Sequence, residues 1–148
     1  MKIAIGCDHG GFVLKPAIVD TLKKRGIEVI DCGCQGESVD YPDYALKVAE
    51  LVSSGQADKG IVLCGTGIGI SISANKVKGI RAAVCHDEFT AQMCAEHNNA
   101  NIIALGGRVL GVEKAVKMVE IWLDTEFGGG RHAGRVDKIT AIENKYFK

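Results

Sequence analysis

The sequence predicts an α/β fold: a doubly wound, Rossmann-like three-layer sandwich on a five-stranded parallel sheet. Three observations predict it. Five short runs are rich in Ile, Val, Leu and Ala and broken only by Glu28 and Arg81, as strands covered on both faces are. Segments with apolar residues at helical spacing follow those runs in turn. The length, 148 residues, suits one compact domain over 1–148 with a sizeable buried core.

The elements follow in chain order. Residues 3–5 form a β-branched run ahead of Gly6 and read as the first strand. Leu14, Ala17, Ile18 and Leu22 recur on one helical face, with Pro16 near the start and Gly26 at the end. Residues 27–30 make the second strand. Ala45, Val48, Ala49 and Val52 form the second helical stripe, with Pro42 in its first turn. Residues 60–63 are the third strand, and a helix running to about Val77 follows its glycine-rich loop. Residues 80–84 and 102–105 are the fourth and fifth strands, separated by a helix over 89–96. Ala115, Met118, Val119 and Trp122 mark the next helix. Right-handed crossovers between parallel strands place helices on both faces. After Gly128, Gly129 and Gly130, which predict a flexible turn, Val136, Ile139, Ile142 and Tyr146 give a last helix with one apolar side. The sheet already has its cover, so that side is expected to pack on a partner subunit.

Charge narrows the function. Eighteen basic residues balance 18 acidic ones, so no overall field recruits nucleic acid or an anionic membrane. The apolar N-terminal run is too short for a signal-peptide core or a membrane span, which predicts a cytoplasmic protein with reduced thiols. The six cysteines contain no CxxC pair, and Cys32-Gly33-Cys34 has no second pair to complete a zinc site. Neither a metal nor an organic cofactor is expected.

In an open parallel sheet, ligands bind beyond the carboxyl ends of the strands. There the sequence gathers Cys7, Asp8, His9, Gly10 and Gly11, then Cys64, Gly65, Thr66, Gly67, Ile68 and Gly69. Cys85, His86 and Asp87 follow the fourth strand, and Gly106, Gly107 and Arg108 the fifth. The 65–69 loop reads G-x-G-x-G, neither the dinucleotide fingerprint nor a P-loop. Its glycines let backbone amides converge on an anion, and a developing enediolate is one such guest. Cys64 stands where strand meets loop, beside a helix N-terminus that favours a thiolate, although a buried core cysteine would occupy the same place. Asp8 reads as a cleft carboxylate or a helix cap, with His9 projecting into the same cleft. His97, with Asn98, Asn99 and Asn101 after it, reads equally as a catalytic group or a helix-terminal histidine. Arg131 and Arg135, four apart, can grip one phosphate from a shared helical face or form a solvated basic turn. His132 and Arg108 are secondary candidates for the same anion.

Taken together, Asp8-His9-Gly10-Gly11, Asp40-Tyr41-Pro42-Asp43-Tyr44, the residues from Cys64 to Gly69, Ala74-Asn75-Lys76, His97-Asn98 and Gly130-Arg131-His132 resemble the ribose-5-phosphate isomerase B group. That group belongs to a sugar-phosphate isomerase family that includes galactose-6-phosphate isomerase subunits. The match runs in order from the first strand to the last helix. The resemblance implies cofactor-independent aldose–ketose isomerisation of a small sugar phosphate through an enediolate. It makes Cys64 the base that moves a proton between C1 and C2. It assigns ring opening to Thr66 and His97 with the help of Asp8, and stabilisation of the oxyanion to the amides of Gly65, Gly67, Ile68 and Gly69. Tyr41 and Asn98 would contact the sugar, and His9, Arg131 and Arg135 the phosphate. It further implies a homodimer or homotetramer with shared sites. One branch of the family has a glutamate base where this chain has Ile70, so the chain follows the cysteine branch. A six-carbon sugar phosphate such as allose or galactose 6-phosphate is the alternative substrate. A non-enzymatic phosphate or nucleotide sensor and a thiol redox protein are alternatives of other classes.

Overall fold

The computed structural model describes residues 1–148. Five strands, β1 (Lys2–Cys7), β2 (Glu28–Asp31), β3 (Lys59–Cys64), β4 (Ala82–Val84) and β5 (Ile102–Gly106), form one sheet. With them alternate α1 (Lys15–Lys24), α2 (Tyr41–Ser53), α3 (Ile68–Ala74), α4 (Glu88–Glu96) and α5 (Val112–Asp124), and α6 (Arg131–Tyr146) closes the chain. The strand order is β2-β1-β3-β5-β4, every pair parallel. From β1 the chain steps outward to β2, then returns past β1 to β3. The crevice between their carboxyl ends is where such sheets receive ligands.

Side-chain parity divides the core into two layers. Ile3, Ile5, Cys7, Ile61, Leu63, Ile103 and Leu105 pack under α1, α4 and α5. Ala4, Val62, Cys64, Ile102 and Ala104 face α2 and α3. These runs are apolar throughout because helices cover both faces, and the expected three-layer arrangement is what the chain adopts.

Several boundaries shift for local reasons. The first turn of α1 is preceded by a short 3₁₀ turn at Phe12–Leu14. Gly26, at φ +75°, turns the chain out of α1 so that the Ile27 amide donates back to the Leu22 carbonyl, and β2 starts only at Glu28. α3 stops at Ala74, short of Val77, because the Asn75 amide side chain pairs with both backbone groups of Ala82, at 2.8 and 2.9 Å. β4 has three residues rather than five. Before it, the Arg81 amide donates to Asn101 Oδ1 at 2.8 Å, outside the strand ladder. α4 opens on a capping box in which Asp87 accepts from the Thr90 amide.

α6 is the outlying element. It buries only Val136, while Ile139, Ile142 and Tyr146 stand 46%, 62% and 70% exposed. Its Glu143 carboxylate accepts from the Gly79 amide at 2.7 Å, which ties the helix to the loop ahead of β4. No helix is long and apolar enough to cross a membrane.

Candidate active site

Three loops meet at the carboxyl edge of β1, β3 and β5, and glycines let them touch. A Cβ on Gly11 would lie 2.4 Å from the Leu63 carbonyl carbon, and one on Gly107 2.2 Å from the Gly10 carbonyl oxygen. Such distances admit no side chain, so the three loops pack backbone to backbone. The Asp8 amide donates to the Leu63 carbonyl at 3.1 Å, which seats Asp8 beside Cys64.

Cys64 ends β3, is 4% exposed, and lies on the α2–α3 side of the sheet. The Gly67 amide donates to its sulfur at 3.1 Å. Thr66 Oγ1 accepts from the Ile68 amide at 3.2 Å. The amides of Gly65, Thr66, Gly69 and Ile70 find no acceptor in the chain, so the loop that follows this sulfur carries free donors. An anion beside that sulfur would meet preorganised N–H groups. Ile70, at the position of the alternative glutamate base, is fully buried among Ala74, Val62 and Ala104 in the second core.

The rest of the near side is assembled around this loop. Asp8 is 7% exposed; its Oδ1 accepts from the Gly10 amide at 2.8 Å and the Gly11 amide at 3.1 Å, leaving Oδ2 for another partner. The His9 ring is oriented by the Val39 amide, which donates to Nδ1 at 3.4 Å and so leaves the proton of a neutral ring on Nε2. The Tyr41 ring, at the start of α2, lies against Gly69: a Cβ there would fall 2.6 Å from Tyr41 Cζ. Arg108, a secondary candidate by sequence, belongs to this side. Its amide donates to the Gly65 carbonyl at 2.9 Å, and its Nη1 lies 3.1 Å from where a Gly65 Cβ would be. The signal in the sequence was its place after Gly106-Gly107 at a strand end.

His97, Asn98, Arg131 and Arg135 lie elsewhere. α4 starts beyond the carboxyl end of β4 and runs back toward the start of β5, so its last residues reach the opposite edge of the sheet. The Gly128 amide donates to the Glu96 carbonyl at 2.9 Å, which brings the start of α6 to the same edge. There the His97 and His132 rings stack, centroids 4.1 Å apart. His97 Nε2 stands 3.2 Å from the Glu96 carboxylate. Desolvation, then the neighbouring His97, Arg131 and Arg135, hold the His132 imidazole below its usual pKa. One chain therefore holds its candidate residues in two groups at opposite edges: a sulfur with its loop, and a basic cluster with a histidine pair.

The other cysteines are in different surroundings. Cys7 and Cys34 bring their sulfurs to 4.0 Å, and burial followed by the Cys34 thiol pushes Cys7 up to about 12. No three His, Cys, Asp or Glu side chains cluster as a metal site would require. A cleft of about 620 Å³ beside Cys32, Lys47 and Glu50 is lined by none of the candidate residues.

The model of a family described as Ribose/Galactose Isomerase matches residues 3–139. The chain is 53% identical over 145 residues to the ribose-5-phosphate isomerase B of Escherichia coli strain K12, covering 97% of each chain. It is 47% identical over 147 residues to a D-erythrulose-4-phosphate isomerase of Pectobacterium atrosepticum, with 98% of this chain and 97% of that one covered. Its structure superposes on that of Clostridium thermocellum ribose-5-phosphate isomerase B with a TM-score of 0.96, at 64% identity over 99% of each chain.

Proposed function

This chain belongs to the ribose/galactose isomerase family, and on that premise we propose that it interconverts ribose 5-phosphate and ribulose 5-phosphate with Cys64 as the base. The observation that carries the proposal is the Gly67 amide 3.1 Å from the Cys64 sulfur, inside a loop whose Gly65, Thr66, Gly69 and Ile70 amides are unengaged. Isomerisation needs this pair of functions, because a C–H beside a carbonyl is weakly acidic and loses its proton only where the resulting oxyanion is stabilised.

The chemistry proceeds in two stages. In ring opening, a base takes the O1 proton, an acid protonates the ring oxygen, and the bond from C1 to that oxygen breaks to leave an aldehyde. Asp8, Thr66 and His97 are assigned to this stage. The Cys64 thiolate then removes the proton from C2. Electrons move into a C1–C2 double bond and onto O1, where the amides of Gly65, Gly67, Ile68 and Gly69 receive the charge. A proton passes from O2 to O1, and the Cys64 thiol returns its proton to C1. The product is the 2-ketose.

The site is completed by a second copy of the chain, in a homodimer. His97, Asn98, Arg131 and Arg135 cannot reach Cys64 in their own chain, because the sheet lies between them, and α6 carries an apolar side with no partner in its own chain. The second copy supplies the ring-opening histidine, a sugar contact in Asn98 and the two phosphate-binding arginines. His9, Tyr41 and Arg108 act from the first. The length of the sugar is the freer variable. A relative 47% identical is a D-erythrulose-4-phosphate isomerase, so four-, five- and six-carbon phosphates should be assayed side by side.

The test is ribose 5-phosphate turnover in EDTA, repeated in heavy water and with Cys64→Ala. Turnover with deuterium entering carbon is expected, and the variant should lose roughly 10²–10⁴-fold in kcat. Full activity of Cys64→Ala removes the base. Turnover only of another chain length changes the substrate.

A further inference from the structure

The turn that carries His97 and Asn98 is held from outside itself. α4 ends at Glu96, and beyond it the chain passes through Asn99 at φ +47°, a left-handed conformation uncommon for a residue with a Cβ. The carbonyls of Asn98 and Asn99 lie past the last helical turn. One guanidinium meets both: Arg81 Nε donates to Asn98 O at 3.2 Å and Asn99 O at 3.0 Å, and Nη2 donates to Asn99 O at 2.9 Å.

Arg81 is itself fixed. Its amide donates to Asn101 Oδ1 at 2.8 Å, its carbonyl accepts from the Asn101 amide at 3.1 Å, and Asn101 Nδ2 donates to the Gly79 carbonyl at 2.8 Å. The Ala100 carbonyl, next along the turn, accepts from the buried Trp122 indole at 3.1 Å. On the far side, His97 stacks on His132. The turn therefore has rigid neighbours on both flanks, and Arg81 is the only charged side chain that bonds its backbone.

We propose that Arg81 is a positioning residue for the isomerase: it fixes His97 and Asn98 for use in the partner's active site, touching neither substrate nor reacting atoms. The inference rests on the shared-site reading above. A planar guanidinium spans two carbonyls at set angles, whereas the single ammonium of lysine cannot hold both in the same register. Small displacements of a reacting group cost about 10²-fold in rate. Arg81→Met should therefore lower kcat by about 10- to 100-fold, with KM less affected because Arg131 and Arg135 are intact. Arg81→Lys should fall between.

The decisive measurement is complementation between subunits. Cys64→Ala and Arg81→Met chains, co-expressed with different tags, are purified as mixed dimers. One of the two sites then joins an intact Cys64 to a His97–Asn98 turn held by an intact Arg81, and activity should recover to about half that of the wild-type dimer. The double variant Cys64→Ala/Arg81→Met paired with a wild-type chain should recover nothing beyond the Arg81→Met level. Cys64→Ala paired with His97→Ala is the control. If the control fails to complement, the shared site is wrong and this inference falls with it. Should the control complement while the Arg81→Met pairing does not, Arg81 acts on the fold of its own chain, and only this inference is overturned. A fully active Arg81→Met homodimer overturns it as well.

Discussion

The backbone amide of Gly67 points at the sulfur of Cys64 from 3.1 Å, and it does so from a backbone turned to φ +82°. Residues with a Cβ adopt that conformation rarely. A Cβ there would also lie 3.0 Å from the Leu105 carbonyl carbon and 3.1 Å from Val84 Cγ2. Gly67→Ala should destabilise the protein by about 1–3 kcal/mol and take the donor away from the sulfur. In steady-state kinetics its kcat should fall far more than its KM rises. A thermal shift with unaltered kcat would separate the amide from catalysis.

Gly69 tests the neighbouring contact. Adding a methyl puts carbon 2.6 Å from Tyr41 Cζ and 2.8 Å from its hydroxyl. The Tyr41 ring is partly exposed and can swing outward, so Gly69→Ala should cost no more than about 1 kcal/mol in folding. If the phenol contacts sugar, KM should rise several-fold. Tyr41→Phe should reproduce that rise while leaving the melting temperature in place.

For the phosphate, Arg131→Ala and Arg135→Ala are each expected to raise KM with little change in kcat, because the phosphate is gripped alike in ground and transition states. Inorganic phosphate should lose potency as a competitive inhibitor in step. An unchanged KM in both variants would reject the assignment.

His132 predicts a pH dependence of stability. Its folded pKa lies below the ordinary 6.5 through desolvation and the positive charges beside it. The unfolded chain therefore binds this proton first as pH falls, and stability is lost from about pH 6.5 downward, toward the depressed folded value. His132→Phe keeps a ring against His97 and removes that titration. The fall in melting temperature between pH 7.5 and 5.5 should be smaller in the variant than in the wild type. Equal falls would show that His132 carries no such linkage.

The sheet, its parallel sense and its two helical layers were legible because strand apolarity and helical stripes report burial directly, as at residues 60–63 and Ala115 to Trp122. The glycine loop after Cys64 was legible for a related reason: close backbone approach tolerates nothing else. Boundaries set by side chains bonding distant backbone were not legible. Asn75 ends α3 by pairing with Ala82, and Asn101 holds Arg81 out of β4, through contacts that no local pattern announces. The distance between His97 and Cys64 within one chain is a matter of topology, which no local pattern displays. A helix that returns from one strand end to the next strand start carries its last residue, His97, to the far edge. Arg108 gives only a weak signal in the sequence because one arginine at a strand end has no periodic partner to mark it.

The division of the core by side-chain parity has a chemical result. Cys64 faces α2 and α3, while Cys7, Cys34, Cys85 and Cys94 all belong to the layer beneath α1, α4 and α5. Cys32 is at the end of β2, with β1 between it and β3. A wall of hydrogen-bonded peptide thus insulates one sulfur from four others, and bond lengths near 2 Å cannot bridge it. Oxidation that couples thiols on the shielded side leaves Cys64 chemically alone, and an internal disulfide to any of those four would require β3 to tear away from its neighbours.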